Sequence, residues 1–436
     1  MSVNWSLKKI SDICEFQNNK RVPLKSLDRE KRQGEYPYYG ASGIVDYIDN
    51  YIFDGKFLLI SEDGENLRTR NTPIAFQAQG RFWVNNHAHI LAEKEEGILD
   101  YLEYYFSILN INPYITGAVQ PKLNKANLDA IEIPIPPVNE RLLINQILNS
   151  LKEKILLNNQ INQTLESIAQ ALFKSWFIDF EPVRAKIAAK QEGKDPELAA
   201  MCAISGKTQA ELEQMAGEDF AELQATAALF PDELVESELG EVPRGWEVST
   251  IGKRFNVVMG QSPKGDTYNG NKHGKLFFQG RAEFGWRYPT PRLYTTDPKR
   301  VAKENDILMS VRAPVGDMNV AMEECCIGRG LSALSHRSGS FSYSYYCLKA
   351  LQSKFNVFNG EGTVFGSINQ NDLKNISFIE PINELIDLFA KTINKYDQRI
   401  KLNSFNTKSL IDVRDTLLPK LLSGEMDVSD LQSEGD

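Results

Sequence analysis

The feature that most constrains this chain is that it repeats itself, with segments about 245 residues apart matching in kind and in spacing. That period is too long for a solenoid and suits a duplicated domain with its connector. Each half opens on a tryptophan: Trp5-Ser-Leu-Lys-Lys-Ile10 in the first, Gly245-Trp246-Glu-Val-Ser-Thr-Ile251 in the second. Each half also closes alike. Gly117-Ala-Val119 leads to Leu123-Asn124, Leu128, Ile131, Pro137, Asn139 and Glu140, and Gly362-Thr-Val364 leads to Ile368-Asn369, Leu373, Ile376, Pro381, Asn383 and Glu384. A chain of 436 residues has room for several cores on this plan.

Between opening and close, β-prone runs alternate with glycine, as in Gly40–Tyr47, Phe57–Ile60 and Asp306–Val311, with a helix expected over Leu99–Leu109. The pattern predicts an α+β globule, built twice. After each close the period changes to three and four. Leu148, Leu151, Ile155, Asn158, Asn162, Leu165, Ala169, Leu172 and Trp176 form a heptad stripe on a helix entered after Pro136-Pro137. The repeat supplies a partner stripe: Ile393, Tyr396, Ile400, Asn403, Thr407, Leu410, Arg414, Leu417 and Leu421, with Leu402, Phe405 and Val413 expected to widen its apolar face. Two matched long helices in one chain most simply pack on each other. A helix of this length runs roughly 60 Å at ~1.5 Å per residue, enough to hold two domains apart. Asn158 and Asn403 occupy equivalent seam positions, where a buried amide fixes register by demanding a polar partner; solvated places at the seam edge are the alternative.

Net charge is −9, yet its distribution is uneven. Residues 183–240 hold five basic against twelve acidic side chains, whereas residues 244–316 hold thirteen basic against six acidic, interleaved with Tyr268, Phe277, Phe278, Phe284, Trp286, Tyr288 and Tyr294. Basic residues among aromatics and glycines suit a nucleic-acid surface. The acidic stretch reads as a connector with one or two helices, including one over Thr208–Phe230, partly mobile and lying outside the symmetric core. Organisation follows: a first β-rich domain over 1–137, a long helix over 138–180, the connector over 181–240, a second β-rich domain over 241–380, a second long helix over 381–425, and a polar tail over 426–436.

Several chemistries lack their residues. Gly260-Gln-Ser-Pro-Lys-Gly265 has the glycine spacing of a phosphate loop but continues Asp266-Thr267, without the lysine. Gly40-Ala-Ser42-Gly43 is not a nucleophile elbow. Asn112-Pro113-Tyr114 is one proline short of the amino-methyltransferase motif. The pair His87 and His89 has no cysteine or carboxylate set beside it and reads as polar strand residues, so no metal site is expected. Five scattered cysteines fit reduced thiols. No apolar run approaches the ~18 residues of a membrane span, and Met1–Ile10 lacks a signal core, so a cytoplasmic, non-catalytic protein is expected.

Beyond these arguments, Tyr39-Gly-Ala-Ser-Gly-Ile-Val-Asp46, Val84-Asn-Asn-His87, Gly117-Ala-Val-Gln-Pro121, Ile133-Pro-Ile-Pro-Pro137, Leu172-Phe173-Lys-Ser-Trp176-Phe177, Gly260-Gln-Ser-Pro263, Val311-Arg-Ala-Pro-Val-Gly316 and Leu418-Pro-Lys-Leu-Leu-Ser-Gly424 together resemble the specificity subunits of type I restriction-modification enzymes. One departure is visible: the family usually has Glu-Gln after the proline turn, where this chain has Glu140-Arg141 and Glu384-Leu385. The resemblance implies two pseudo-twofold related target-recognition domains separated by an antiparallel coiled coil of the two long helices. Each domain would read half of a bipartite double-stranded DNA target, and the helix pair would set the unread spacer. It also implies partners: two copies of a modification (methyltransferase) subunit binding S-adenosylmethionine, and restriction subunits using ATP and Mg. No cofactor is expected on this chain.

Base identity is read from groove edges, with Arg or Lys suited to guanine and Asn or Gln to adenine. On residue type and placement, the candidate DNA contacts are Arg68, Arg70, Gln77, Gln79, Arg81, Asn85 and Asn86 in the first domain. In the second they are Gln261, Lys264, Lys272, Arg281, Arg287, Arg292 and Arg312. The competing reading is a helical scaffold presenting two β-rich protein-binding modules; DNA binding by the purified complex in low salt separates the two.

Overall fold

The computed structural model describes residues 5–360, 366–426 and 428. The repeated Gly362–Val364 and most of the polar tail lie outside the described residues. Two compact units form: Met1–Leu157 with Asn406–Asp436, and Asn158–Phe405. Each of the two long helices begins in one unit and ends in the other, so the units divide the chain differently from the domain bounds expected above.

The repeat is legible as one frame used in both units. The tryptophan-led opening zips antiparallel to the close: Ser6–Lys8 pairs with Ile133–Ile135, and Glu247–Thr250 with Ser377–Glu380. Asn124 and Asn369, matched in sequence, both cap short helices, Lys125–Asp129 and Gln370–Asn375, by accepting backbone N–H bonds two or three residues on. The neighbouring Leu123 and Ile368 are buried. A 40-residue helix then follows in each case, Val138–Phe177 and Asn383–Leu422.

What each frame holds differs. In the first unit, six strands are Cys14–Phe16 (β1), Gln33–Gly40 (β2), Gly43–Ile48 (β3), Phe53–Ser61 (β4), Ala75–Val84 (β5) and Ala88–Glu93 (β6). They order as β1-β6-β4-β5-β2-β3, antiparallel except that β2 runs parallel to β5. Helix α1, Ile98–Ile108, one residue from its expected bounds, packs Leu99, Leu102 and Phe106 with Leu58, Ile60 and Leu91 of the sheet. The opposite face buries Phe53, Leu59, Phe82 and Val84, as strand alternation requires.

The second unit contains a four-stranded antiparallel sheet and a five-stranded mixed one. Two strands matter below: Ile307–Ser310 (β7) and Met318–Val320 (β8), antiparallel neighbours in the four-stranded sheet. Helix α2, Phe341–Ala350, buries Tyr343, Tyr345, Tyr346 and Leu348.

The long helices pack as a pair in both units. In the second, Asn162 meets Asn403 while Phe173 and Trp176 meet Phe389, an antiparallel run. In the first, Leu148, Leu418, Leu421 and Leu422 share one core. Of the expected seam, Leu148, Ile155, Asn158, Ile393, Ile400 and Asn403 are buried, and Leu151, Leu165, Leu172, Tyr396, Leu410 and Leu417 half-buried. Asn158 and Asn403 are therefore not solvated, but Asn158 Nδ2 has no hydrogen-bond partner among the described residues, and the amide contact across the pair is made by Asn162 instead. Asn403 Nδ2 donates to Asn162 Oδ1 at 3.1 Å, and Asn162 Nδ2 to Ser404 Oγ at 3.2 Å. One expectation fails: Leu402, Phe405 and Val413 are exposed, because they lie off the a/d positions by more than the buried stripe is wide.

The acidic stretch also departs from expectation. It forms four helices, Glu181–Gln191, Pro196–Ser205, Gln209–Leu212 and Gly217–Ala228, and the hairpin Leu234–Ser237/Gly240–Pro243. The single helix expected over Thr208–Phe230 is broken, since Thr208 and Glu211 close a capping box around one short turn and Gly217 starts afresh. Nor does the stretch stand outside the core: Val183 and Phe230 join Trp176 and Trp246 in the main core of this unit, with Phe230 edge-on to Trp176 at 5.3 Å. Its charges ride the outer face of helices whose inner face is alanine and methionine, which composition alone does not distinguish from a solvated tether. Among the described residues no helix is long and apolar enough to cross a membrane.

Candidate nucleic-acid interface

In the first unit, β5 carries Gln77, Gln79 and Arg81 on one face. Gln79 and Arg81 are exposed. Arg81 pairs with Asp54 at 3.2 Å and lies 4.9 Å over the Tyr51 ring, contacts that leave its guanidinium edge open to solvent. Gln77 is committed elsewhere, donating to Asp100 at 3.0 Å and Glu103 at 2.7 Å on α1.

β5 ends in the turn Asn85–His87. Asn86 is exposed, Asn85 half-buried with its Oδ1 accepting from His87 N at 2.8 Å. The turn is held from behind by Arg21, which sequence reasoning did not single out. Its Nη1 donates to the carbonyls of Asn86 (3.2 Å) and Ala88 (2.9 Å) and to Glu62 at 2.6 Å. Burial pushes the Glu62 carboxyl up, but the Arg21 bond with the His89, Arg21 and Lys122 charges outweighs it and holds the group below the usual range. Nothing local in the sequence marks this role, since the groups that Arg21 Nη1 meets lie at least 41 residues away, and only its Nε has a near partner, the Asn18 carbonyl at 3.0 Å.

Arg68 remains partly exposed, with Nη2 on the Gly117 carbonyl at 2.9 Å. Arg70 is a correction. It takes the left-handed conformation ending Asn66–Thr69, and its terminal nitrogens donate to the carbonyls of Phe106, Ser107 and Leu109. Those are the unpaired carbonyls at the end of α1, so the guanidinium closes a helix instead of facing DNA. His89 is a buried strand residue as expected, whereas His87 lies in the turn before β6 with Nδ1 2.8 Å from Asp63. Among the described residues no group of three His, Cys, Asp or Glu could hold a metal ion.

In the second unit, Gln261, Lys264, Lys272, Arg281, Arg292 and Arg312 are all exposed. Gln261 and Lys264 follow Gly260, whose backbone passes so near Gly328 that a β-carbon would sit 2.1 Å from its carbonyl oxygen. Lys272 occupies a left-handed turn position. Arg312 leaves β7 in a bridge with Ser367. Arg281 pairs with Asp317 at 2.7 Å, and Arg292 with the buried Glu283 carboxylate. These last two stand at the ends of one loop, Gly280–Arg292.

Arg287, in the middle of that loop, is the second correction. It is fully buried, with Nη1 3.3 Å from Glu166 on the first long helix and Nη2 2.5 Å from Asp397 on the second. A guanidinium between two carboxylates in a dry core has no face for a base. Periodicity could have flagged Glu166 and Asp397 as charges on inward-facing helix positions, but not their partner.

Exposed cations and amides thus gather on strand faces and loop tips in each unit, the donor set that base edges and phosphates require. The family model described as the type I restriction modification DNA specificity domain matches residues 2–167 and again 243–412. The specificity subunit of the type I restriction enzyme HindI from Haemophilus influenzae is 33% identical over 95% of this chain and 91% of its own. The putative type I restriction enzyme MjaX specificity subunit from Methanocaldococcus jannaschii is 30% identical over 75% of this chain and 67% of its own. In fold, the chain is similar to the S subunit of a type I restriction-modification system from M. genitalium, with a TM-score of 0.61 at 15% identity over 96% of both chains. Carrying the family's DNA specificity domain twice, on the two frames that the repeat predicted, this chain belongs to the specificity subunits of type I restriction-modification systems.

Proposed function

We propose that the two units read two different halves of one DNA target, and that this chain leaves the chemistry to partner subunits. Two modification subunits carrying S-adenosylmethionine would methylate adenine. Restriction subunits using ATP and Mg would cut. One observation carries the bipartite reading: the same frame of zipped strands, asparagine-capped helix and long helix holds two unlike β-rich heads, one six-stranded sheet in the first unit against a four- and a five-stranded sheet in the second. Duplicated frames suit two like partner subunits. Unlike heads suit two unlike sequences.

The reader candidates that remain accessible are Arg68, Gln79, Arg81, Asn85 and Asn86 in one head and Gln261, Lys264, Lys272, Arg281, Arg292 and Arg312 in the other. The test assembles the chain with its modification subunits and measures binding to duplexes bearing every single-base change. Alanine at a base-reading position should relax one base pair by ~1–3 kcal/mol, whereas loss of a phosphate contact weakens all duplexes alike. First-head variants should alter one half of the target and second-head variants the other. Variants of both heads relaxing the same half would refute the division of labour, and a complex that holds no DNA in low salt would favour the protein scaffold.

A further inference from the structure

Trp286 is 49% exposed, while the other four tryptophans are buried or half-buried. Its exposure is enforced by its neighbours on both sides. The loop carrying it is closed at the base, where Thr290 N donates to the Glu283 carbonyl at 2.8 Å. At its tip the chain turns so tightly that a β-carbon on Gly285 would sit 2.5 Å from the Tyr288 carbonyl oxygen. Gly285 is gripped twice by the buried side chain of Asn319 on β8: its N–H donates to Oδ1 and its carbonyl accepts from Nδ2, both at 3.0 Å.

On the other side, the Arg287 carbonyl accepts from Val320 N at 2.9 Å, and its side chain runs inward to Glu166 and Asp397. Both terminal nitrogens of Arg287 are paired there, and only its Nε is left without a partner among the described residues. Its guanidinium carbon lies 4.3 Å from the centre of the Tyr345 ring, Tyr345 donates to Glu166, and Ser342 and Tyr346 donate to Asp397. Burial opposes the Arg287 charge, but Asp397 foremost, then Tyr346, Tyr345 and Glu166, more than restore it. With the residues before and after it bolted into the core, the indole of Trp286 projects outward on a rigid support. Ordering it in advance removes an entropic penalty that a partner would otherwise meet on binding. Arg281 and Arg292 stand exposed at the two ends of the same loop, each sharing its charge with a carboxylate but keeping donor edges in solvent; cationic donors around an apolar ring suit duplex DNA, whose grooves offer phosphates beside base edges and thymine methyls.

We propose that Trp286 is a DNA-contacting residue of the second unit, and that Arg287 is the positioning residue that presents it. The proposal rests on the DNA-reading role above, and its test keeps the two apart. The full chain assembled with modification subunits is titrated with target duplex at fixed salt, with Trp286→Ala and Arg287→Lys beside the wild type, while assembly, thermal stability and acrylamide quenching of tryptophan fluorescence are followed. Loss of the indole, and of the apolar area it would bury, should weaken target binding on the order of tenfold or more and leave assembly and melting unchanged. DNA should shield wild-type fluorescence from acrylamide, and this shielding should vanish in Trp286→Ala. Arg287→Lys keeps the charge but not the planar fork; quenching of the free complex should rise, binding should fall, and the double variant should bind no worse than Trp286→Ala alone. Unchanged DNA affinity in Trp286→Ala, or loss of a modification subunit instead of DNA, overturns the proposal while wild-type target preference upholds the DNA-reading role. A wild-type complex without preference for any duplex would remove that role and the proposal with it.

Discussion

Replacing Arg141 by alanine tests how the first long helix is seated. Arg141 lies in its first turns and is fully buried. Nε and Nη2 both donate to the Glu96 carbonyl, at 3.0 and 2.7 Å, and Nη1 donates to the Glu95 carboxylate at 3.1 Å. Truncation strands the Glu96 carbonyl beside the start of α1, which costs about 1–3 kcal/mol. Glu95 is partly exposed and keeps Lys8 at 2.6 Å, so it adds little. The emptied volume of a large buried side chain adds roughly another 1–2 kcal/mol. A loss of about 2–5 kcal/mol corresponds to a fall centred on roughly 10 °C in the melting of the first unit. Differential scanning calorimetry of the full chain reads this, with Trp5 fluorescence as a local check, since its indole donates to Glu140 at 3.2 Å. Arg141→Gln, which restores the residue usual in the family, reaches fewer acceptors and should fall about halfway. A shift under about 2 °C for alanine, or glutamine as damaging as alanine, would refute the argument that the guanidinium anchors the helix. In the second frame the matched residue is Leu385, fully buried in the apolar core, so each departure from the family pattern has its own packing partner.

Two further outcomes follow from buried polar groups. Asn403→Leu should destabilise the second unit by about 1–3 kcal/mol by leaving the Asn162 oxygen dry, and Asn162→Leu with Asn403→Leu should recover most of that; purely additive losses in urea melts would show the amides are not coupled. Burial lowers the pKa of His89, whose Nδ1 faces the Asn18 amide while Nε2 donates to the Leu123 carbonyl. Asn18 cannot turn its oxygen inward, because Oδ1 already accepts from Ile90 N. With the folded pKa below the ordinary 6.5, the stabilisation is complete above that pH and is lost as pH falls through it towards the folded value. The first unit should therefore melt lower at pH 5 than at pH 7, and His89→Gln should flatten the difference. An unchanged slope would show that His89 is not the group responsible.

The repeat, the α+β class and the paired long helices were determined by the sequence itself, because each rests on local rules. A heptad stripe dictates which helix face is buried, and an asparagine before a short apolar run caps it wherever the chain leads. Exposure at Gln79, Asn86, Gln261 and Arg312 was legible for the same reason, in turns and strand faces of plain alternation. What only tertiary structure decided is which charges are spent internally. Arg70, Arg287 and Arg141 are as basic on paper as Arg81 or Arg312. Their donors meet a helix end, two carboxylates from helices 121 and 110 residues away, and a loop carbonyl 45 residues back. The free energy of a charge depends on whether water or a distant residue solvates it, and no window of neighbouring residues contains that information. The acidic stretch teaches the same lesson, since its inner apolar face acquires meaning only when Phe230 reaches Trp176 across the fold.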